Sequence, residues 1–174
     1  VSPNKLVYVP GTISTFMASG SFSTFRGTAY SKDGGASWTR IDDVTHLEID
    51  FVNPTTGWSG GFSKANGVGG MYKFSGNLAA TLSGTSLSWT EKTNVFTEAS
   101  RGIAAMHVLN DNVLWAITYN SSNANLASQE FIRTPDGGTT WVNGSISGLP
   151  ANASMETIHG ISALEAFVSV TGDN

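Results

Sequence analysis

The stretch Ser31-Lys32-Asp33-Gly34-Gly35-Ala36-Ser37-Trp38 decides the fold, because it returns as Thr134-Pro135-Asp136-Gly137-Gly138-Thr139-Thr140-Trp141. Both copies place a hydroxyl residue first, aspartate third, two glycines next, a second hydroxyl residue seventh and tryptophan last. A segment that recurs intact within a short chain is typical of a repeat architecture.

The chemistry of this motif predicts a tight turn between two strands. Aspartate accepts hydrogen bonds from nearby backbone N–H groups, and glycine adopts positive φ without steric cost. The first hydroxyl can bond locally, and the tryptophan ring can bury a large apolar surface at the start of the next strand. We interpret both aspartates as turn-forming, with a metal-binding or catalytic carboxylate as the alternative. The structural residues are Ser31, Asp33, Gly35, Ser37, Trp38, Thr134, Asp136, Gly138, Thr140 and Trp141.

A weaker third copy lies between the two, in Ser83-Gly84-Thr85-Ser86-Leu87-Ser88-Trp89-Thr90, which keeps hydroxyls and tryptophan but lacks the aspartate. The three tryptophans, Trp38, Trp89 and Trp141, recur at intervals of 51 and 52 residues. A second series, Trp58, Trp115 and Phe167, recurs at 57 and 52 residues, and we expect its members to lie in the core. A period near fifty residues with several strands per unit belongs to propeller blades.

The short apolar runs between these markers alternate with polar residues or end at turn residues, as in strands. The predicted fold is therefore all-β, a β-propeller segment of four-stranded antiparallel blades, about three and a half in number. The approximate blades are 1–45, 46–98, 99–150 and an incomplete 151–174. Because open ends would leave apolar faces unpaired, we expect a larger propeller of roughly six to eight blades. We also expect a processed or partial chain, since it begins at Val1 without methionine.

The composition excludes several classes of function. Charged residues make up only 13% of the 174-residue chain, the net charge is −4, and no basic stripe exists that would favour nucleic acid. Cysteine is absent, so there is no disulfide or thiolate metal site. No apolar run approaches the roughly 20 residues of a membrane helix, so we expect no membrane insertion.

The two motifs resemble the Asp-box of bacterial neuraminidase-type repeats, which reads Ser/Thr-x-Asp-x-Gly-x-Thr/Ser-Trp. The run Asp50-Phe51-Val52-Asn53-Pro54-Thr55-Thr56-Gly57-Trp58 resembles a strand-turn-strand of propellers related to photosystem II assembly factors. Similar propellers occur in surface proteins that Bacteroidota export by the type IX route. Asp-boxes also occur in sialidases, xyloglucanases and sortilin-type receptors, so the resemblance implies a fold and not an activity.

Two enzyme activities found on similar propellers require particular residues. Sialidase chemistry needs three arginines and a tyrosine–glutamate pair, whereas the arginines here are dispersed: Arg26, Arg40, Arg101 and Arg133. Inverting glycosidases need two carboxylates about 6.5–9.5 Å apart. Glu48 and Asp50 lie on the polar face of a predicted strand, where such charges are usually solvated. The other candidates are Asp42, Asp43, Glu98, Asp111, Glu130, Glu156 and Glu165.

The three histidines, His46, His107 and His159, each lie near a predicted first strand. Because blades radiate apart, this repeat-like placement favours packing or hydrogen bonding over a metal triad. Three triplets that begin at Asn120, Asn143 and Asn152 fit the glycosylation sequon and carry little weight in a chain this rich in serine and asparagine.

The leading hypothesis is a non-catalytic segment of a secreted or cell-surface bacterial protein. It would be a scaffold or a binding module whose partners are other segments of the propeller, other proteins or a glycan. We predict no catalytic residues, no cofactor and no bound metal. The alternative is part of a polysaccharide-active glycoside hydrolase propeller, xyloglucanase-like or sialidase-like. A third reading, an assembly factor for a membrane complex, would require a basic patch.

Overall fold

The structure, a computed structural model, describes residues 4–21, 26–62, 69–80, 86–93, 95–96, 101–120, 129–149 and 153–172. Within these residues the chain forms fourteen strands and no helix, and hence no helix that could cross a membrane. The predicted all-β fold of four-stranded antiparallel blades is confirmed.

The strands form four consecutive antiparallel sheets. Sheet 1 contains β1 (Lys5–Tyr8), β2 (Phe16–Gly20), β3 (Gly27–Ser31) and β4 (Thr39–Arg40). Sheet 2 contains β5 (Glu48–Asn53), β6 (Thr56–Gly60), β7 (Met71–Ser75) and β8 (Ser88–Lys92). Sheet 3 contains β9 (Arg101–Val108), β10 (Leu114–Asn120), β11 (Glu130–Thr134) and β12 (Val142–Gly144). Sheet 4 pairs β13 (Ser154–Gly160) with β14 (Ala166–Thr171).

The strand registers show that the sheets are repeats of one unit. Trp58 lies opposite Asp50, Trp115 opposite His107, and Phe167 opposite His159. The predicted equivalence of Trp58, Trp115 and Phe167 is confirmed. In sheet 1 the equivalent pair is Met17 and Val7.

The first strands of consecutive sheets contact one another in the order β1, β5, β9 and β13. Blades that radiate from a common axis bring their first strands together in this way. We call each interface between consecutive sheets a seam, and number the seams 1 to 3 along the chain.

Each seam holds its own hydrophobic cluster. Val9 and Met17 of sheet 1 meet Ile49, Phe51 and Phe74 of sheet 2 at seam 1. The cluster at seam 2 includes Trp58, Met71, Ile103 and Leu114, and the cluster at seam 3 includes Trp115, Ile117, Met155 and Ile158. Burying one such side chain is worth about 1.5–3 kcal/mol, so hydrophobic burial fixes the sheets against each other.

The turn between β5 and β6 is short, because the Asn53 side chain accepts hydrogen bonds from Thr55 N–H and Thr56 N–H and closes it. One prediction of burial was wrong. Phe167, predicted in the core, is 70% exposed because no described residue covers that face of β14.

The three motif tryptophans differ in burial more than the repeat predicts. Trp38 and Trp141 immediately precede the outer strands β4 and β12, and Trp89 lies on the outer strand β8. Trp89 and Trp141 pack into the clusters at seams 1 and 2, whereas Trp38 is 43% exposed. Each of these partly buried rings faces the preceding sheet, and no described sheet precedes Trp38.

The proposed third copy of the motif does not repeat the turn. Trp89 lies opposite Phe74, where the other sheets have a hydroxyl residue. The connection from β7 to β8 is therefore longer than the motif, and Ser83 to Thr85 lie outside the described residues.

Candidate functional site at the seams

The first motif loop, Ser31–Trp38, is organised around the Asp33 carboxylate. Its Oδ1 accepts hydrogen bonds from Ser31 Oγ at 2.7 Å and from Ser37 N–H at 2.9 Å, and its Oδ2 accepts from Ser37 Oγ at 2.5 Å. These bonds lower the pKa of Asp33 to about 2, and the bond from the Ser37 hydroxyl is the largest cause. Trp38 Nε1 donates to Gly35 O at 3.1 Å.

The second motif loop, Thr134–Trp141, repeats this arrangement. Asp136 Oδ1 accepts from Thr134 Oγ1 at 3.0 Å and from Thr140 N–H at 2.8 Å, and Oδ2 accepts from Thr140 Oγ1 at 2.6 Å. The bond from the Thr140 hydroxyl is the largest cause that lowers the pKa of Asp136 to about 2. Both oxygens of each aspartate are therefore engaged within their own loop.

The glycines of the motif are required by backbone geometry. Gly137 and Gly138 adopt φ of 70° and 83°, a region that side chains with a Cβ rarely enter. Gly137 N–H donates to Asn112 O at 2.8 Å, which fastens the loop to the turn between β9 and β10. Gly138 packs beneath the Trp58 ring, where a Cβ would lie 2.8 Å from the ring edge.

A second repeated contact joins the first strands across the seams. Asp50 Oδ2 accepts a hydrogen bond from Val108 N–H at 2.7 Å across seam 2. His107, the equivalent residue of sheet 3, accepts from Gly160 N–H through Nδ1 at 3.1 Å across seam 3. The pKa of His107 is lowered mainly by burial. The neighbouring His159 ring, whose centroid lies 4.0 Å from that of His107, lowers it further.

A third repeated contact uses a cation on the third strand. Lys73 Nζ lies 5.6 Å from the centre of the Trp58 ring and donates to Asp111 O at 2.9 Å in the next sheet. Arg133, its equivalent, lies 5.4 Å from the Trp115 ring and donates to Ala163 O at 2.7 Å. Each cation therefore binds its own tryptophan and the first turn of the following sheet.

Seam 1 contains a buried polar network whose order resembles a serine-nucleophile triad. His46 bonds Ser59 Oγ through Nδ1 and Asp42 Oδ2 through Nε2, the latter at 2.8 Å. Ser59 and His46 are completely buried, and Asp42 Oδ1 also accepts from Thr28 N–H at 2.7 Å. Since no substrate can reach the Ser59 hydroxyl in this arrangement, the network is a structural link between sheets 1 and 2.

The prediction that Glu48 and Asp50 are merely solvated was wrong. Both are partly buried, and burial raises the pKa of each carboxyl. Glu48 pairs with Lys5 at 3.0 Å, and Asp50 also accepts from Phe51 N–H at 2.9 Å. Both carboxylates therefore have partners within the protein.

The remaining candidates that the structure describes lie in separate groups, and Glu98 lies outside the described residues. Arg40 donates to Asp42 O and Arg26 O, each at 2.7 Å, and Arg101 pairs with Glu130 at 3.0 Å. Only two of the three histidines are equivalent, because Asp50 occupies the corresponding position in sheet 2 and His46 lies earlier. Within the described residues no group of three or more His, Cys, Asp or Glu could hold a metal ion.

Sequence reasoning missed the seam contacts of four residues: Lys73, Arg133, Asp42 and Ser59. A signal for two of them was present, since aligning the tryptophans at 58 and 115 places Lys73 and Arg133 at equivalent positions of the third strand. The Asp42–His46–Ser59 network gives no sequence signal, because it occurs once and joins residues of different sheets.

Four-stranded antiparallel sheets with converging first strands define the class of protein as a β-propeller. No family model and no curated protein matches the chain. Among solved structures it is similar to YCF48 from Cyanidioschyzon merolae, a β-propeller, with a TM-score of 0.57 and 18% sequence identity over 94% of this chain. The match covers 47% of the YCF48 chain, so this chain spans about half the length of that relative. At this identity the likeness shows the fold alone.

Proposed function

We propose that this chain is the non-catalytic scaffold part of an Asp-box propeller in a secreted or cell-surface bacterial protein, exported by the type IX route. The engagement of both oxygens of Asp33 and Asp136 within their own loops supports this proposal most strongly. Those carboxylates stabilise turns and are not presented to a substrate. In this proposal the seams hold the blades rigid, and the connections between strands present the binding surface for a protein or a glycan.

The apolar faces at both ends of the described sheets support a larger propeller. Leu6, Tyr8 and Trp38 are exposed on sheet 1, and Leu164 and Phe167 on sheet 4. A groove of about 520 Å³ lies beside β14 and is lined by residues that include Trp115, Phe131 and Ile146. In each of the other three sheets, a third and a fourth strand follow the second strand on that side. We propose that further blades of the same propeller, or partner proteins, cover these surfaces.

The test is to locate the full-length protein in its own cell and to assay it for turnover. Protease treatment of intact cells should remove it from the surface, and deletion of the type IX machinery should retain it inside. Purified protein should leave xyloglucan and sialyllactose intact. Recovery from the cytosol, or hydrolysis that Glu48→Gln or Asp50→Asn abolishes, would overturn the proposal.

A further inference from the structure

Each seam has one end that lies opposite the motif loops, and the contacts at this end differ among the three seams. At seam 3 the Gln129 side chain exchanges two hydrogen bonds with the Met155 backbone, donating to O at 3.1 Å and accepting from N–H at 2.7 Å. At seam 2 a β-bridge joins Phe62 to Gly102, next to the paired Arg101. At seam 1 the described residues leave a cleft of about 430 Å³.

The lining of this cleft combines one cation, one anion, hydroxyls and an aromatic ring. It consists of Arg26, Asp43, Val44, Thr45, Phe62 and Tyr72. Within the described part of the chain, no hydrogen bond or ion pair engages the side chains of Arg26, Asp43 or Thr45. These groups are therefore available to a ligand, and the Arg26 backbone O is held by a hydrogen bond from Arg40.

The aromatic wall of the cleft is exposed and held in place. Phe62 is 40% exposed, and the Tyr119 ring packs against it edge-on with centroids 6.4 Å apart. The β-bridge to Gly102 fixes the backbone of Phe62 across seam 2. A fixed, partly exposed aromatic face stacks well on the apolar face of a sugar ring at little entropic cost.

The floor of the cleft is rigid because it adjoins the buried network of seam 1. The His46 ring packs edge-on against Tyr72 with centroids 4.9 Å apart, and both residues are buried. Tyr72 OH lies 3.4 Å from Glu91 Oε1, and burial, with Glu91 adding to it, raises the pKa of Tyr72 to about 12. The phenol therefore keeps its proton and donates a hydrogen bond to Glu91.

We propose that this cleft binds a short glycan segment, with one sugar ring on Phe62 and its hydroxyls bonded to Arg26, Asp43 and Thr45. A guanidinium supplies paired donors and a carboxylate supplies paired acceptors, which together suit the adjacent hydroxyls of a pyranose. The inference deepens the proposed binding role and rests on it.

The test is titration calorimetry of the full-length protein with cellohexaose, xylohexaose, mannohexaose and sialyllactose. At least one should bind, and Phe62→Ala and Arg26→Ala should each weaken that binding about tenfold or more, which corresponds to about 1.4 kcal/mol. Phe62→Tyr should bind as the parent does, because it keeps the ring. Ile13→Ala is the control, since it removes a 99% exposed apolar side chain in the turn between β1 and β2, away from the cleft.

Failure of all four sugars to bind at millimolar concentration would overturn the inference, as would binding that both alanine variants leave unchanged. Circular dichroism of the Phe62→Ala and Arg26→Ala proteins checks that they fold. A negative result in a protein that is still found at the cell surface rejects the glycan site alone. Recovery in the cytosol rejects the proposed function instead.

Discussion

Asp50 of β5 accepts a 2.7 Å hydrogen bond from the backbone N–H of Val108, which lies on the first strand of the next sheet. One seam further along, His107 accepts from Gly160 N–H in the same relationship. The same structural position is therefore filled by two chemically different acceptors. What the repeat conserves here is the acceptor and not the residue type, which explains why a search for repeated residues does not detect it.

The acceptor at seam 3 makes stability depend on pH near neutrality. The pKa of His107 is lowered in the folded protein, so the folded state binds fewer protons than the unfolded chain. Its contribution is fully present well above the unfolded pKa of about 6.5 and is lost as the pH falls below that value. Urea unfolding between pH 8 and pH 5 should show the loss. His107→Asn, which keeps an acceptor without titrating, should flatten the slope, and an unchanged slope would contradict this account.

The motif aspartates predict a separate loss of stability in acid. The pKa of both Asp33 and Asp136 is lowered to about 2 in the folded protein. They therefore contribute stability above the unfolded value of about 3.9, and that contribution disappears as the pH falls from about 4 to 2. Acid unfolding followed by tryptophan fluorescence should be shallower over this range in the Asp33→Asn, Asp136→Asn double variant. Equal slopes in parent and variant would show that the loops do not depend on ionised carboxylates.

The seam position of Trp141 predicts unequal effects of two equivalent substitutions. Trp141 packs edge-on against Trp58 with centroids 6.0 Å apart, whereas Trp38 is 43% exposed. Trp141→Ala should lower the free energy of unfolding by about 3 kcal/mol, within the range for a large aromatic packed in a core. Trp38→Ala should cost less than about half of that, because less of its ring is packed. Equal losses in chemical denaturation would contradict the assigned packing.

The cation at seams 2 and 3 predicts that lysine can largely replace arginine at this position. Arg133 donates to Ala163 O at 2.7 Å while its guanidinium lies over the Trp115 ring. Arg133→Ala should cost about 1–2 kcal/mol, the sum of one hydrogen bond to a charged group and a partly exposed cation–π contact. Arg133→Lys should retain most of this, because Lys73 fills the equivalent position in sheet 2. Thermal unfolding of the two variants measures the difference, and a lysine variant as unstable as the alanine variant would argue against the shared role.

The sequence predicts an interaction when its partners lie close together in the chain, and fails to predict it when they lie far apart. The bonds of the two motif aspartates all lie inside eight residues, so Asp33 and Asp136 could be assigned as turn residues from composition. The role of Asp50 could not be predicted, because its partner Val108 is 58 residues away in the chain. Val108 contributes only its backbone N–H, so its residue type gives no sign of the contact. The exposure of Trp38 was likewise hidden, since burial depends on the sheet that lies next to it and not on its own segment.

The most direct test of the repeated seam is amide hydrogen exchange, measured by NMR in the parent protein and in Asp50→Ala. The account predicts that the Val108 amide exchanges much faster in the variant while Gly160, whose acceptor is His107, keeps its protection. If the Val108 amide exchanges equally slowly in both proteins, the sheets are not joined at this position as described.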